Sequence, residues 1–139
     1  MTDVHNPKTR SYNMSRIKGK DTKPEMLVRR FLFSQGYRYK LHDKTLPGKP
    51  DIVLPKYKTI IFIHGCFWHG HKNCKYATIP ETRTEWWTAE MKENMKYDRM
   101  VALVLKAFDY KIITIWECEL KKKRIETTLK KLLLKLPKA

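Results

Sequence analysis

Five consecutive β-favouring residues, Thr59-Ile60-Ile61-Phe62-Ile63, constrain this chain more than any other stretch. The run carries no charge and does not alternate with polar residues. A strand made of it must therefore be covered on both faces. The material for those covers lies on either side in sequence. Thr22-Lys23-Pro24-Glu25 reads as a capping box with proline in the first turn. The helix it opens runs to about Gln35, buries Leu27, Val28, Phe31 and Leu32, and ends at Gly36. Thr82-Arg83-Thr84-Glu85 reads as a second box, opening a long helix to about Phe108. Its expected apolar contacts are Trp86, Met91, Met95, Met100, Leu103 and Val104. Ile125, Leu129, Leu132, Leu133 and Leu136 recur at helical spacing and predict a C-terminal amphipathic helix.

Three further strands are expected at Tyr37 to His42, Asp51 to Leu54 and Ile112 to Trp116, with Leu46-Pro47-Gly48-Lys49-Pro50 as a turn. The order is α-β-β-β-α-β-α. The long helix between the third and fourth strands permits a crossover to a parallel neighbour. The expected class is α/β, a mixed central sheet flanked by helices. At 139 residues the chain is one domain, read as an arm over residues 1–20 followed by a single domain over 21–139.

The charge of +16 is not needed for such a fold, so it speaks about partners. Residues 1–23 carry net +4 and residues 119–139 carry net +6. Nucleic acid, an anionic membrane or an acidic protein could take up that charge. No run approaches the length of a membrane span, and the first residues lack the apolar core of a secretory signal. A cytoplasmic or nucleoid location without membrane attachment is expected. The C-terminal lysines read equally as a phosphate-binding surface or as the solvated face of a helix.

Three cysteines without an export signal point to reduced or metal-bound thiols. Cys66, His71 and Cys74 lie in one loop, and Cys118 follows the last strand. Together they make a Cys3His set, a common closed shell for structural Zn²⁺, which would tie the loop to the sheet edge. Three unrelated buried thiols are the alternative.

A second constellation suits hydrolysis. Asp51 opens a short strand, His64 ends the buried one, His69 lies five residues on, and Asp98 sits on the long helix. Cleaving a phosphodiester calls for a hard cation held by carboxylates and a group that moves a proton near neutral pH. A turn-capping Asp51, a surface His64 and an ion-paired Asp98 would be the plainer reading. Glu25 is explained by its capping box, and His5 and His42 read as ordinary polar residues. Phe67-Trp68 stand between Cys66 and His69, and Trp86-Trp87 open the long helix. A loop tip pinned by metal could present Phe67 and Trp68 as a wedge that unstacks bases, with Met14 on the arm as either a second wedge or an inert side chain. Core packing is the other use for these aromatics. Trp86 and Trp87 point about 100° apart, so they cannot do the same job.

At these residues the chain resembles the very-short-patch repair (Vsr) mismatch endonucleases. The likeness rests on Thr9-Arg10-Ser11 with Asn13-Met14, on Leu46-Pro47-Gly48-Lys49-Pro50-Asp51, and on His64-Gly65-Cys66-Phe67-Trp68-His69-Gly70-His71. Thr82-Arg83-Thr84-Glu85-Trp86-Trp87 and Ile115-Trp116-Glu117-Cys118 complete it. The resemblance implies a restriction-endonuclease-like sheet between helices, with a structural zinc loop, as the endonuclease domain of residues 21–139. It implies Mg²⁺-dependent nicking of one strand of duplex DNA, 5′ to the thymine of a T:G mismatch left by deaminated 5-methylcytosine. Asp51 would bind Mg²⁺ with the backbone of Ile63, where threonine is familiar. His69 would be the general acid/base, Asp98 its orienting partner although Tyr97 replaces a common arginine before it, His64 a support for the hydrated metal, and Glu25 the border of the site. Zn²⁺ would sit at Cys66, His71, Cys74 and Cys118. Phe67, Trp68 and Trp87 would intercalate from the major groove, Met14 would enter from the other side, and the arm would clamp the DNA. A monomer is expected, one that accessory repair proteins could join. A zinc-stabilised DNA-binding module without chemistry, or a related nuclease cutting unmodified duplex DNA, are the alternatives.

Overall fold

Residues 22–139 are described by the computed structural model, and the arm with Met14 lies outside the described residues. The uncharged run becomes β3 (Thr59–His64), whose first four residues are buried. On one side it pairs antiparallel with β2 (Ile52–Leu54), which in turn pairs with the two-residue β1 (Lys40–Leu41). On the other side it pairs parallel with β4 (Lys111–Trp116), in register from Thr59↔Lys111 to His64↔Trp116. The sheet order is β1-β2-β3-β4.

The helices are α1 (Lys23–Ser34), α2 (Thr84–Ala107) and α3 (Ile125–Lys135). Their partition follows the period of two along the strands. Ile52, Leu54, Ile61, Ile113 and Ile115 face Val28 and Leu32 of α1 and Leu132 of α3. Val53, Ile60 and Phe62 face Val101 and Leu105 of α2. The sheet is thus a middle layer between α1 with α3 and the crossover helix α2, which is what a strand apolar on both faces demands.

Local signals explain the α1 boundaries. The Thr22 hydroxyl accepts the Glu25 N–H at 3.4 Å. Gly36 adopts φ +93°, and the N–H groups of Gly36 and Tyr37 donate to the carbonyls of Phe33 and Leu32. That is a Schellman closure, with glycine supplying the left-handed residue. The expected burial is corrected in part. Val28 and Leu32 are buried, but Leu27 and Phe31 are only half-buried, and the remaining buried position belongs to Glu25.

Three more expectations change. The strand expected from Tyr37 to His42 shrinks to two residues, because it is the sheet edge and the chain turns away at His42, φ +49°. Helix α2 begins after Arg83 in a left-handed conformation without a side-chain cap. The Thr84 hydroxyl donates back to the carbonyls of Pro80 and Glu81 instead. Met100, Leu103 and Trp86, expected as apolar contacts of that helix, are exposed, and Trp87, Val101 and Leu105 are buried in their place. Only the C-terminal half of α2 lies on the sheet. Its other turns cross the loops that carry the site, and a purely apolar stripe would be wrong there.

Candidate active site and metal centre

β2 starts where β3 and β4 end, so the residues flanking these ends gather at one edge of the sheet. Asp51 immediately precedes β2, and its Oδ2 accepts the N–H of Ile63 at 2.8 Å. The turn before it is a type II turn, with Pro47 second and Gly48 third at φ +78°. A side chain at Gly48 would put its Cβ 2.6 Å from Cγ1 of Val101, so the turn rests directly on α2. Burial pushes the Asp51 carboxyl up to about 6, the Ile63 N–H pulls against it, and neighbouring Glu25 adds to the rise.

Glu25 is 2% exposed, and its Oε2 accepts Arg29 Nη1 at 3.1 Å and meets His42 Nε2 at 3.0 Å. The capping box thus explains only half of this residue, since its carboxylate turns into the site. His42, read from sequence as an ordinary polar residue, stands with it. The ligand atoms of Glu25, His42 and Asp51 all lie within 4.8 Å of one another. The sequence signal was the strand pairing itself, because the His42 N–H donates to the Asp51 carbonyl across the β1–β2 ladder.

Across the cleft, the His64 and His69 rings stack at 3.8 Å with planes 6° apart. His69 Nδ1 meets Asp98 Oδ2 at 2.6 Å. A carboxylate there favours the Nδ1–H tautomer and leaves Nε2 able to take or give a proton. Burial, reinforced by His69, drives His64 down to about 4, so it is neutral near pH 7. Asp98 belongs to a row on α2, at spacings of three and four, that faces the loop after β3. Asn94 Nδ2 donates to the Trp68 carbonyl at 3.0 Å. Gly70, φ +61°, passes so close that a Cβ would lie 2.6 Å from Met95 Sδ and 3.0 Å from Met91 Cγ. Asn94 and the glycine–methionine contact were not foreseen, although the helical spacing of 91, 94, 95 and 98 carries them.

Phe67, Trp68 and Trp87 form one aromatic cluster with ring centroids 5.2 to 5.9 Å apart. Phe67 and Trp68 are half-buried, Trp87 is 2% exposed, and Trp86 is 41% exposed. The last pair divides as the helical geometry requires. Asp51, His64, His69, Asp98, Phe67 and Trp68 all line a single cleft of about 1070 Å³.

Beside that cleft lies a chemically different cluster. Cys66, His71, Cys74 and Cys118 bring one ligand atom each within 4.8 Å of all the others. Cys118 Sγ is 3.4 Å from His71 Nδ1, and the Cys118 N–H donates to Cys66 Sγ at 3.4 Å. Burial pushes the Cys66 thiol up to about 12, a burden that a bound cation would relieve, because a coordinating thiol is deprotonated outright. Three thiols and one imidazole at these separations fit a tetrahedral metal. Trp116 separates the two centres. Its ring stacks on His71 at 4.1 Å with planes 5° apart, and stands edge-on to His64 at 5.2 Å.

Metal-assisted hydrolysis beside a structural metal is the class of chemistry this layout accommodates. The model of the family "DNA mismatch endonuclease Vsr" matches residues 2–75. The chain is 50% identical over 125 residues to the type II nicking enzyme V.NmeAIP of Neisseria meningitidis, covering 90% of this chain and 89% of that one. It is 42% identical over 120 residues to the type II nicking enzyme V.XorIIP of Xanthomonas oryzae pv. oryzae, covering 86% and 88%. It is 40% identical over 121 residues to the DNA mismatch endonuclease Vsr of Escherichia coli K12, covering 87% and 77%. The chain belongs to the Vsr family of DNA mismatch endonucleases.

Proposed function

We propose that the chain nicks one strand of duplex DNA, 5′ to the thymine of a T:G mismatch, by divalent-metal-dependent phosphodiester hydrolysis. The observation that carries this reading is the His69–Asp98 pair at 2.6 Å, in one cleft with Asp51. His69 moves the proton at Nε2, and Asp98 holds its ring and tautomer. Asp51, with Glu25 and the backbone of Ile63, would hold Mg²⁺, which would supply positive charge at the scissile phosphate when bound. Neutral His64 keeps its stacked partner in place and avoids a second positive charge beside it. Family membership and the layered mixed sheet support a restriction-endonuclease-like fold for this domain.

Cys66, His71, Cys74 and Cys118 would hold Zn²⁺ with four protein ligands, leaving no open position for hydrolysis. They would thereby pin the loop that carries Phe67 and Trp68. These two rings, half-exposed in the cleft, enter the base stack at the mismatch, where opening a step costs least. Trp87 backs them from beneath. Met14 and the basic arm act on the far side of the duplex, and a cytoplasmic, nucleoid-facing monomer suits this role.

A strand-labelled assay on T:G, U:G and C:G duplexes, with Mg²⁺ or with chelator, tests the proposal. A single nick on the T-bearing strand of the T:G duplex, in Mg²⁺ only, is expected. Equal cutting of C:G duplex would make the chain a nuclease of unmodified DNA. Binding without cutting at every pH would make it a binding module.

A further inference from the structure

A second groove, of about 560 Å³, adjoins the first and shares His71 with it. One wall is the turn Lys121-Lys122-Lys123-Arg124 between Glu117–Leu120 and α3, the other is Lys75 and Tyr76 from the cysteine loop, and His71, Cys74 and Cys118 of the cysteine cluster lie between them. The turn is an ordered one, since the N–H groups of Arg124 and Ile125 both donate to the Lys121 carbonyl at 2.9 Å. All four of its side chains are exposed. Lys75 and Lys121 lie over the same Tyr76 ring, 5.2 and 5.1 Å from its centroid. None of these five cations forms an ion pair with a described carboxylate.

Five like charges around one groove repel one another, and the Tyr76 and Cys118 contacts engage only three of them, without neutralising any. They become favourable when a polyanion fills the groove. The floor of the groove belongs to the cysteine cluster, while its rim offers amines, a guanidinium and a phenol, the groups that make sugar–phosphate contacts. Arg124 Nη1 also reaches Cys118 Sγ at 3.6 Å, which ties this wall to the cysteine cluster and, through His71, to the cleft.

We propose that this groove holds the phosphate backbone of the substrate duplex beyond the nicked step, on one side of the mismatch only. The inference rests on duplex DNA being the substrate. It also assigns a use to the lysine-rich end of the chain, which the sequence alone left between two readings.

The test compares the wild type with the triple variant K121Q/K122Q/K123Q, which spares Arg124 and its cysteine contact. Binding to a long T:G duplex is measured over a salt series, then repeated with duplexes trimmed from one end or the other. Each lost phosphate contact flattens the plot of log K against log salt by about 0.9. The variant should therefore show a slope smaller by about 2 to 3 on the long duplex. The difference should vanish when one end is trimmed and persist when the other is. Equal slopes on the long duplex, or a difference that ignores which end is trimmed, would overturn the proposal. Nicking of the long duplex by the wild type in Mg²⁺ is scored separately. Its absence would sink the functional reading while leaving the slope comparison, which is read from binding alone, to stand or fall by itself.

Discussion

The indole of Trp116 lies flat on the imidazole of His71, 4.1 Å away with planes 5° apart, and turns its edge to His64. One residue therefore touches both a member of the cysteine cluster and a member of the histidine stack. The His64 contact follows from strand register, because Trp116 is the β4 partner of His64, and the loop after β3 brings His71 to the face of the indole. Replacing Trp116 with leucine leaves His71 free to tilt. Groups that orient metal ligands are worth about 10- to 100-fold in metal affinity. Chelator competition should show zinc retention weakened by about that factor, with a smaller loss of nicking. Unchanged retention would reduce the stack to ordinary packing.

Cys118 closes the cluster across the largest span of sequence, so Cys118→Ser should release the metal and lower the melting temperature. Metal analysis at one equivalent in that variant would remove Cys118 from the ligand set.

Asp51 and His64 are shifted in ways that oppose each other as pH falls. Burial raises Asp51 to about 6, so its contribution to stability is fully present below its unfolded value and is lost as pH rises through about 6. Burial depresses His64 to about 4, so its contribution is present above the unfolded value of about 6.5 and is lost as pH falls through about 4. In the metal-free protein the two slopes offset each other across most of this window. Asp51→Asn should expose the His64 slope, with melting temperature dropping as pH is lowered from 6.5 to 4. His64→Gln should expose the opposite slope. Parallel curves for the two variants would contradict the assigned shifts.

Asp98→Asn keeps the shape of the His69 pair but offers an amide where the Nδ1–H needs a carboxylate. Loss of the correct tautomer is expected to lower kcat by about 10²- to 10⁴-fold with KM nearly unchanged. A matching rise in KM would mean that Asp98 serves binding instead.

Gly70 and Gly65 lie in the same loop and should respond differently to alanine. At Gly70 the left-handed backbone and the Met95 sulfur 2.6 Å from the new Cβ both resist the change. A loss of about 1 to 3 kcal/mol is expected, with reduced nicking because His69 is the adjacent residue. At Gly65 the nearest atom is Trp68 Cδ1 at 3.7 Å, so alanine should be tolerated. Equal unfolding curves for the two variants would contradict the helix-to-loop contact.

The elements were legible in the sequence wherever a local rule governs them. The Thr22 cap, the Gly36 stop, the uncharged β3 run and the parallel crossover all depend on neighbours in sequence. The cysteine cluster was legible because sulfur and imidazole have few other uses in such a pattern. What escaped was set by tertiary crossings. His42 looked ordinary until β1 paired with β2 and carried it to Glu25. Met91 and Met95 read as apolar contacts of the helix, and Asn94 carried no signal, until the loop after β3 crossed α2. Trp87 reads from sequence as readily as a wedge as it does as packing, and it is buried under Phe67 and Trp68 in the structure.

The parallel pairing of β3 with β4 has a consequence for the order in which the molecule is made. His64, His69 and three of the four cluster ligands leave the ribosome well before Trp116 and Cys118, which lie beyond the whole of α2. At ordinary elongation rates that gap lasts roughly three to ten seconds. During it the nascent chain holds cleft residues without the strand that aligns them, so a newborn nuclease meets DNA unarmed until its sheet is complete.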